Sequence, residues 1–363
     1  MTIKEHISLT EYTTFRVGGP ARFFVIVATE QELVDALGFA DSKSLPVFIL
    51  GSGSNILVSD NGFDGLVIKN EIKGIEITDL GSRLRGNDRS EGDDAIFCTA
   101  GAGEDWDTLV AKSVAQGFSG LELLSGIPGT VGAAPVQNIG AYGSSVSHVI
   151  AEVRAYDRQT KSFLSLTSTE CDFSYRSSVF KKEQGRYVIV AVTFRLSRLR
   201  PSIPSYPDLV ALFGVSAAPS VSEIRSAVIE TRAKKGMVIL SGYESFQSTG
   251  SFFKNPIIPT SEFAVLQECA SAQKAEWRCR MPWHWGMPDG RIKVSAACLI
   301  QQAGFLRGYR NGRVGLSEKH TLAIVNNGGA TAGEIKDFSK KIQNNVEKDF
   351  GITLEPEVQF VGF

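Results

Sequence analysis

The chain has 363 residues, 43% of them apolar and 21% charged, and a net charge of −1. That length accommodates two or three domains with sizeable cores, and the near-neutral balance excludes a general positive field for nucleic acid or an anionic membrane. The apolar runs are short and broken by Gly or polar residues, so none reads as a membrane span. The opening MTIKEHISLTEYTTFRVGG has no apolar core, so no signal peptide and a cytoplasmic location are expected.

Residues 22–28, RFFVIVA, predict a strand, and TEQELVDALGFA predicts a helix with Thr29 as N-cap and Glu32 three residues on. LPVFIL (45–50) is a buried strand that runs into GSGSN. The strands ILVS and GLVIKN follow, split by the turn DNGFDG, so residues 1–70 read as one small α+β unit. Residues 79–94, DLGSRLRGNDRSEGDD, read as an exposed hairpin loop or insertion. AIFCTAGAG is the next strand. EDWDTLVAKSVAQG is a helix with Trp106, Leu109, Val110 and Val114 on one face and Gly117 at its C-terminal end. Strands are expected at 150–157 and 187–197.

LRPSIPSYPDLVALFGVSAAPS (199–220) carries four of the thirteen prolines and reads as a domain boundary. SVSEIRSAVIETRAKKG is a helix with a Ser220/Glu223 capping box. Further helices are expected near 261–273, at 295–303 ending at Gly304, and from 332. In the last, Thr331 and Glu334 form the cap and Ile335, Phe338, Ile342 and Val346 the apolar stripe. Cys98, Cys171, Cys269, Cys279 and Cys298 are widely spaced with no CxxC, so reduced thiols are expected. His6, His148, His284 and His320 form no HxxxH pair, and no metal site is expected.

Two glycine-rich loops stand out. In ILGSGSNILVSD, the residues Gly51, Ser52, Gly53, Ser54 and Asn55 follow a strand and can aim backbone N–H groups at a phosphate. No Gly-Lys-Ser/Thr follows, and Ile56 stands where a Rossmann fingerprint needs its third glycine. A serine-rich tight turn is the simpler alternative. In SGIPGTVGAAPVQNIGAYGSSV, five glycines and three alanines lie within 19 residues with almost no charge. Such small side chains let backbone approach a broad flat ligand, although a close-packed turn would use them too. A pyrophosphate-bearing aromatic cofactor would use one loop for each end.

Three polar groups remain. Ser251 lies in STGSFFKNP, Arg176 in DFSYRSSVFKK, and Glu355 and Glu357 in TLEPEVQFVG. Taken singly these read as a turn hydroxyl, a surface ion pair and the solvent face of a strand.

Taken together with TTFRVGGPA, ILGSGSNILVSD, GIPGTVGAAPVQNIGAYG, SAACLIQQAGF and LEPEV, these stretches resemble the UDP-N-acetylenolpyruvoylglucosamine reductase family in order and over nearly the whole chain. The resemblance implies an α+β fold with a non-Rossmann FAD-binding unit of the vanillyl-alcohol-oxidase (PCMH) type. That unit would have two subdomains, 1–70 and 71–220. A C-terminal α/β substrate-binding domain, 221–350, would follow, and a strand at 351–363 would return to the active site. FAD and NADPH are the implied cofactors; the residues alone do not distinguish FAD from FMN. The implied substrate is UDP-N-acetylglucosamine enolpyruvate, and a monomer is expected.

The resemblance places the pyrophosphate on residues 51–55. It places the isoalloxazine on Gly126, Ile127, Pro128, Gly129, Gly132, Ala133, Asn138, Gly140, Ala141, Tyr142 and Gly143. Hydride addition to the vinyl CH₂ leaves an enolate, whose carbon is basic enough to take a proton from a positioned hydroxyl. Ser251 therefore reads as proton donor. Arg176 would hold the substrate carboxylate. Glu357 is the second implied acid, and because an enolate would repel a carboxylate it is expected to act protonated. Tyr175 would help place Arg176. Tyr206, of the family's tyrosine-loop form, would lie near the diphosphate, Lys235 would meet a phosphate, and Asn255 and Gln302 would contact substrate. A flavin oxidase of the same fold, or a flavin-binding protein without turnover, are the competing readings.

Overall fold

A computed structural model of the chain describes residues 1–79, 95–199, 201, 206–214, 218–239, 247–272 and 282–363. It forms two compact units. One comprises Met1–Ile7, Ala21–Gly53 and Phe63–Ser245; the other comprises Ser8–Pro20, Ser54–Gly62 and Phe246–Phe363.

In the first unit, Thr29 caps the helix Glu30–Ser42 by accepting the Glu32 N–H at 3.1 Å. Leu33, Ala36, Leu37 and Ala40 recur at helical spacing and are buried. The helix connects the strand Pro20–Val27 to Val47–Leu50, and both run parallel to Phe63–Asn70, which lies between them. A second sheet has five antiparallel strands in the order Ser162–Thr167, Ile150–Asp157, Tyr187–Ser197, Ala95–Gly101, Ile75–Asp79. The two ends of Tyr187–Ser197 serve two cores. Val192, Phe194 and Leu196 join Trp106, Leu109 and Val110 of the helix Trp106–Ala115. Val188 and Val190 join Val25, Leu33 and Ile68 of the smaller sheet. A four-stranded sheet, these three parallel strands with Lys4–Ser8 at the edge beside Pro20–Val27, together with an antiparallel five-stranded sheet is not the doubly wound Rossmann arrangement.

The helix Val221–Lys234 belongs to this first unit, with the expected Ser220/Glu223 capping box. Placing residues 221 onward in a separate substrate domain is therefore corrected. Ile224 and Val228 bury against Leu209 and Tyr142, and Arg225 pairs with Asp107, so the helix is bound to what precedes it.

The second unit is built around the helix Ala332–Phe350, whose Ile335, Phe338, Ile342 and Val346 are buried as expected. Its N-terminus carries the Thr331/Glu334 capping box. Asp60 adds two more acceptors there, taking the Ala332 and Gly333 N–H groups at 2.7 and 2.9 Å. The strand Ile56–Val58 pairs in parallel with Gln359–Val361, and Phe15, Val17 and Leu57 lie in the core of this unit. Residues 1–70 are thus not one subdomain. All three residues of Ile56–Val58 are buried, and their backbone partner is the C-terminal strand rather than the parallel trio.

Cys98, Cys171 and Cys269 are free thiols, but Cys298 is disulfide-bonded, contrary to the expectation of reduced thiols throughout. Sequence spacing carries no information on whether two Cα atoms come within the 4.4–6.8 Å, roughly, that a bridge needs. Cys279 and residues 80–94 of the charged segment lie outside the described residues, as do 200, 202–205 and 215–217 of the proline-rich stretch.

Phe338 is 1% exposed and packs against Phe305 and Tyr309. Phe338→Ala is expected to cost about 3–5 kcal/mol in urea denaturation. Val265→Ala, at a position 61% exposed, should stay within about 0.5 kcal/mol of the parent.

Candidate active site

Ser251 opens a short extended segment held on both sides. The Phe252 N–H donates to Leu322 O at 2.9 Å, and Ser251 bridges Ala323. On the opposite edge Glu357 N–H donates to Phe252 O at 2.8 Å and Lys254 N–H to Glu355 O at 2.9 Å. Phe252 and Phe253 are 0% and 1% exposed and anchor the segment in the core. The polar residues beside them, Ser251 and Glu357, are only half-buried. Ser251 and Glu357 are therefore brought to neighbouring backbones, one residue out of register. Asn55 holds the same turn, donating from Nδ2 to Glu357 O at 3.2 Å. Asn255 Oδ1 accepts the Ala296 N–H at 3.0 Å and so fixes the helix that ends at Gln302.

The first unit carries the other set. The loop 125–143 folds back through a short helix, Ala133–Gln137, that ends at Asn138 in the left-handed region (φ 42°). A Cβ on Gly51 would sit 2.7 Å from Thr130 Oγ1, so the first two glycines' loop and the 125–143 loop meet at a spacing only glycine permits. The peptide of Gly126 is gripped at both ends. Its N–H donates to Asp107 Oδ1 at 2.6 Å, and its carbonyl accepts from Arg232 Nε at 3.1 Å. Arg225 holds Asp107 with two bonds of 2.7 Å.

Arg176 lies close to this loop. Its guanidinium donates to Gly140 O at 2.7 Å and to Asn138 O at 3.3 Å, and it stands 5.5 Å from the Tyr175 ring. Tyr206 packs edge-on to Tyr142 at 5.1 Å. Lys235 Nζ lies 5.8 Å from each ring and pairs with Asp208 at 2.5 Å. Burial pushes the Tyr142 phenol up to about 12 and raises that of Tyr206 as well, so both stay neutral donors near pH 7.

Sequence reasoning passed over Asp107, Arg225, Arg232, Gln137 and Lys181. Asp107 did carry a signal, an acid at i−3 and i−7 to Val110 and Val114 on the apolar face. Lys181 lies inside a recognised motif but was assigned no role.

These features suit a flavin-binding oxidoreductase whose C-terminal unit carries a serine and a glutamate on neighbouring backbone segments. A family model described as an FAD binding domain matches residues 21–161, and one for the UDP-N-acetylenolpyruvoylglucosamine reductase C-terminal domain matches 242–361. The chain is 40% identical over 361 residues to the UDP-N-acetylenolpyruvoylglucosamine reductase of Thermobifida fusca, covering 98% of this chain and 97% of that one. It is 39% identical to the enzyme of that name from Xanthomonas campestris, covering 99% and 96%. The crystal structure of UDP-N-acetylenolpyruvylglucosamine reductase (MurB) from Thermus caldophilus superposes with a TM-score of 0.63 at 25% identity, covering 99% of this chain and all of the other. The chain belongs to the UDP-N-acetylenolpyruvoylglucosamine reductase family. The residues fit its flavin. Gln137 Nε2, in the 125–143 loop, is buried with no acceptor among the described residues, a donor that a ring carbonyl or nitrogen would satisfy.

Burial alone would raise the Asp107 carboxyl. The Arg225 bonds, the Gly126 N–H and the charges of Arg225 and Arg232 outweigh it and hold the group below its usual range. A lowered folded value contributes stability above the unfolded pKa, near about 3.9, and that contribution is lost as pH falls through the folded value. Asp107→Ala is expected to cost about 3–5 kcal/mol at pH 7 by urea denaturation. Asp107→Asn should remove the part of the parent's acid destabilisation that sets in below about pH 4.

Proposed function

We propose that the chain reduces UDP-N-acetylglucosamine enolpyruvate to UDP-N-acetylmuramate in peptidoglycan synthesis, with electrons from NADPH. The observation that carries this reading is the Glu357 N–H to Phe252 O bond, which sets Glu357 across from the residue after Ser251, in a unit matched by that enzyme's C-terminal domain. The glycines and Ser52 of 51–53, with Ser54 and Asn55, would hold the cofactor pyrophosphate, and the 125–143 loop its ring system. Bound FAD supplies a hydride at N5 for the vinyl CH₂ of the substrate.

The remaining work falls to side chains. The hydride makes the CH₂ a methyl group and leaves the electron pair on the adjacent carbon, shared with its carboxylate. Arg176 offsets that charge through the carboxylate. Ser251 Oγ–H gives its proton to the carbon, which completes the lactyl ether. A hydroxyl suffices because the acceptor is a carbanion-like centre, and no imidazole is required. Glu357 is the second acid at the same centre. Lys235 and Tyr206 take the nucleotide diphosphate, with Asn255 and Gln302 on the substrate and Tyr175 beneath Arg176.

Anaerobic NADPH should bleach the yellow holoprotein, and the enolpyruvyl substrate should then restore its colour. Bleaching without recovery would reject the reductase. Ser251→Ala is expected to bleach at the parental rate and to recover about 10²- to 10⁴-fold more slowly. Recovery at the parental rate would remove Ser251 from the chemistry.

A further inference from the structure

Arg176 has a backbone φ of +53°, a left-handed conformation that is strained for a residue with a side chain. The turn around it is closed by reciprocal bonds, Ser174 N–H to Ser177 O at 3.0 Å and Ser177 N–H to Ser174 O at 3.1 Å. Those bonds close the turn without touching the Arg176 carbonyl. Lys181 Nζ does so, donating to Arg176 O at 3.2 Å. The same ammonium donates to Gln137 Oε1 at 2.6 Å, at the end of the short helix in the flavin-ring loop.

Other ties run parallel. Ser178 Oγ donates to Val136 O at 2.8 Å, and Asn138 Nδ2 donates to Ser174 O at 2.9 Å. The Arg176 guanidinium itself returns to Asn138 O and Gly140 O. Segment 136–140 and segment 174–181 are thus laced by five side chains. Of these, Lys181 joins the Arg176 peptide to a side chain of the ring loop. Its bonds are charge-assisted and it is half-buried, so losing them is not compensated simply by water.

We propose that Lys181 is a positioning residue for the reduction. It holds the Arg176 peptide in its left-handed form and ties it to Gln137, so that the guanidinium's place depends on the loop that takes the flavin ring. This rests on the reading of Arg176 as the group that meets the substrate carboxylate.

The test uses the full-length holoprotein and a double-mutant cycle of Lys181→Met with Arg176→Ala. Lys181→Met should bleach with NADPH within about twofold of the parent and recover with the enolpyruvyl substrate about 10- to 100-fold more slowly, the cost of a misplaced charged group. The double variant should be no slower than Arg176→Ala alone, because Lys181 acts through Arg176. In the flavin-free chain, the Ser174 and Ser177 amides should exchange faster in Lys181→Met while amides of the strand Tyr187–Ser197 are unchanged. Lys181→Gln keeps a donor, should show the same pattern at smaller amplitude, and replaces the Met variant if that chain does not fold. Parental recovery in Lys181→Met, or a full additive loss in the double variant, overturns the inference while the assignment of Arg176 stands. Parental recovery in Arg176→Ala overturns that assignment, and the inference with it.

Discussion

Two adjacent phenylalanines impose the constraint on which the C-terminal unit depends. Side chains alternate along an extended segment, so two consecutive buried rings cannot both come from one face of a regular strand. Phe252 and Phe253 satisfy this because chain packs on both sides of them, at 321–323 and at 355–357. Phe252 meets Phe15 and Phe360, and the two rings meet each other edge-on at 5.1 Å. With those rings fixed, the backbones that carry Ser251 and Glu357 are fixed as well. Apolar burial next to the two reactive groups helps set the backbone that carries them.

The first unit solves the corresponding problem with polar chemistry. Its glycine-rich loop buries Val131 and Ala134 in the core, but the glycine peptides between them have no side chains to pack and are held by polar bonds. Asp107 and Arg232 hold the Gly126 peptide at one end, and the ties from 174–181 hold 136–140 at the other. Such bonds are directional and keep the loop open to a flat ligand. The cost is buried charge, met by the bidentate Arg225–Asp107 pair.

Much of this was legible in the sequence where a local rule decides the outcome. The capping boxes at Ser220/Glu223 and Thr331/Glu334 formed as read, and the stripe Ile335–Phe338–Ile342–Val346 buried as its period required. Glycine spacing picked out both loops. What was not legible is partnership over distance. ILVS reads as a short strand in the same small unit as LPVFIL, yet it pairs with Gln359–Val361. The proline-rich stretch reads as a boundary, yet the helix after it stays with what comes before, through Arg225 and Asp107. The bond from Lys181 to Gln137 spans 44 residues and has no local signature.

The two units are interleaved along the chain. The backbone leaves the first at Ser8, returns at Ala21, leaves again at Ser54, returns at Phe63, and leaves finally at Phe246. Asn55 and Glu357, joined by a hydrogen bond, are 302 residues apart. During synthesis the buried strand Ile56–Val58 must therefore wait, apolar and unpaired, until almost the whole polypeptide has emerged. Long-range closure of this kind slows folding and leaves an aggregation-prone edge exposed meanwhile. No single cut yields two self-sufficient halves, because a fragment starting at Phe246 lacks Phe15, Val17 and Leu57 from its own core.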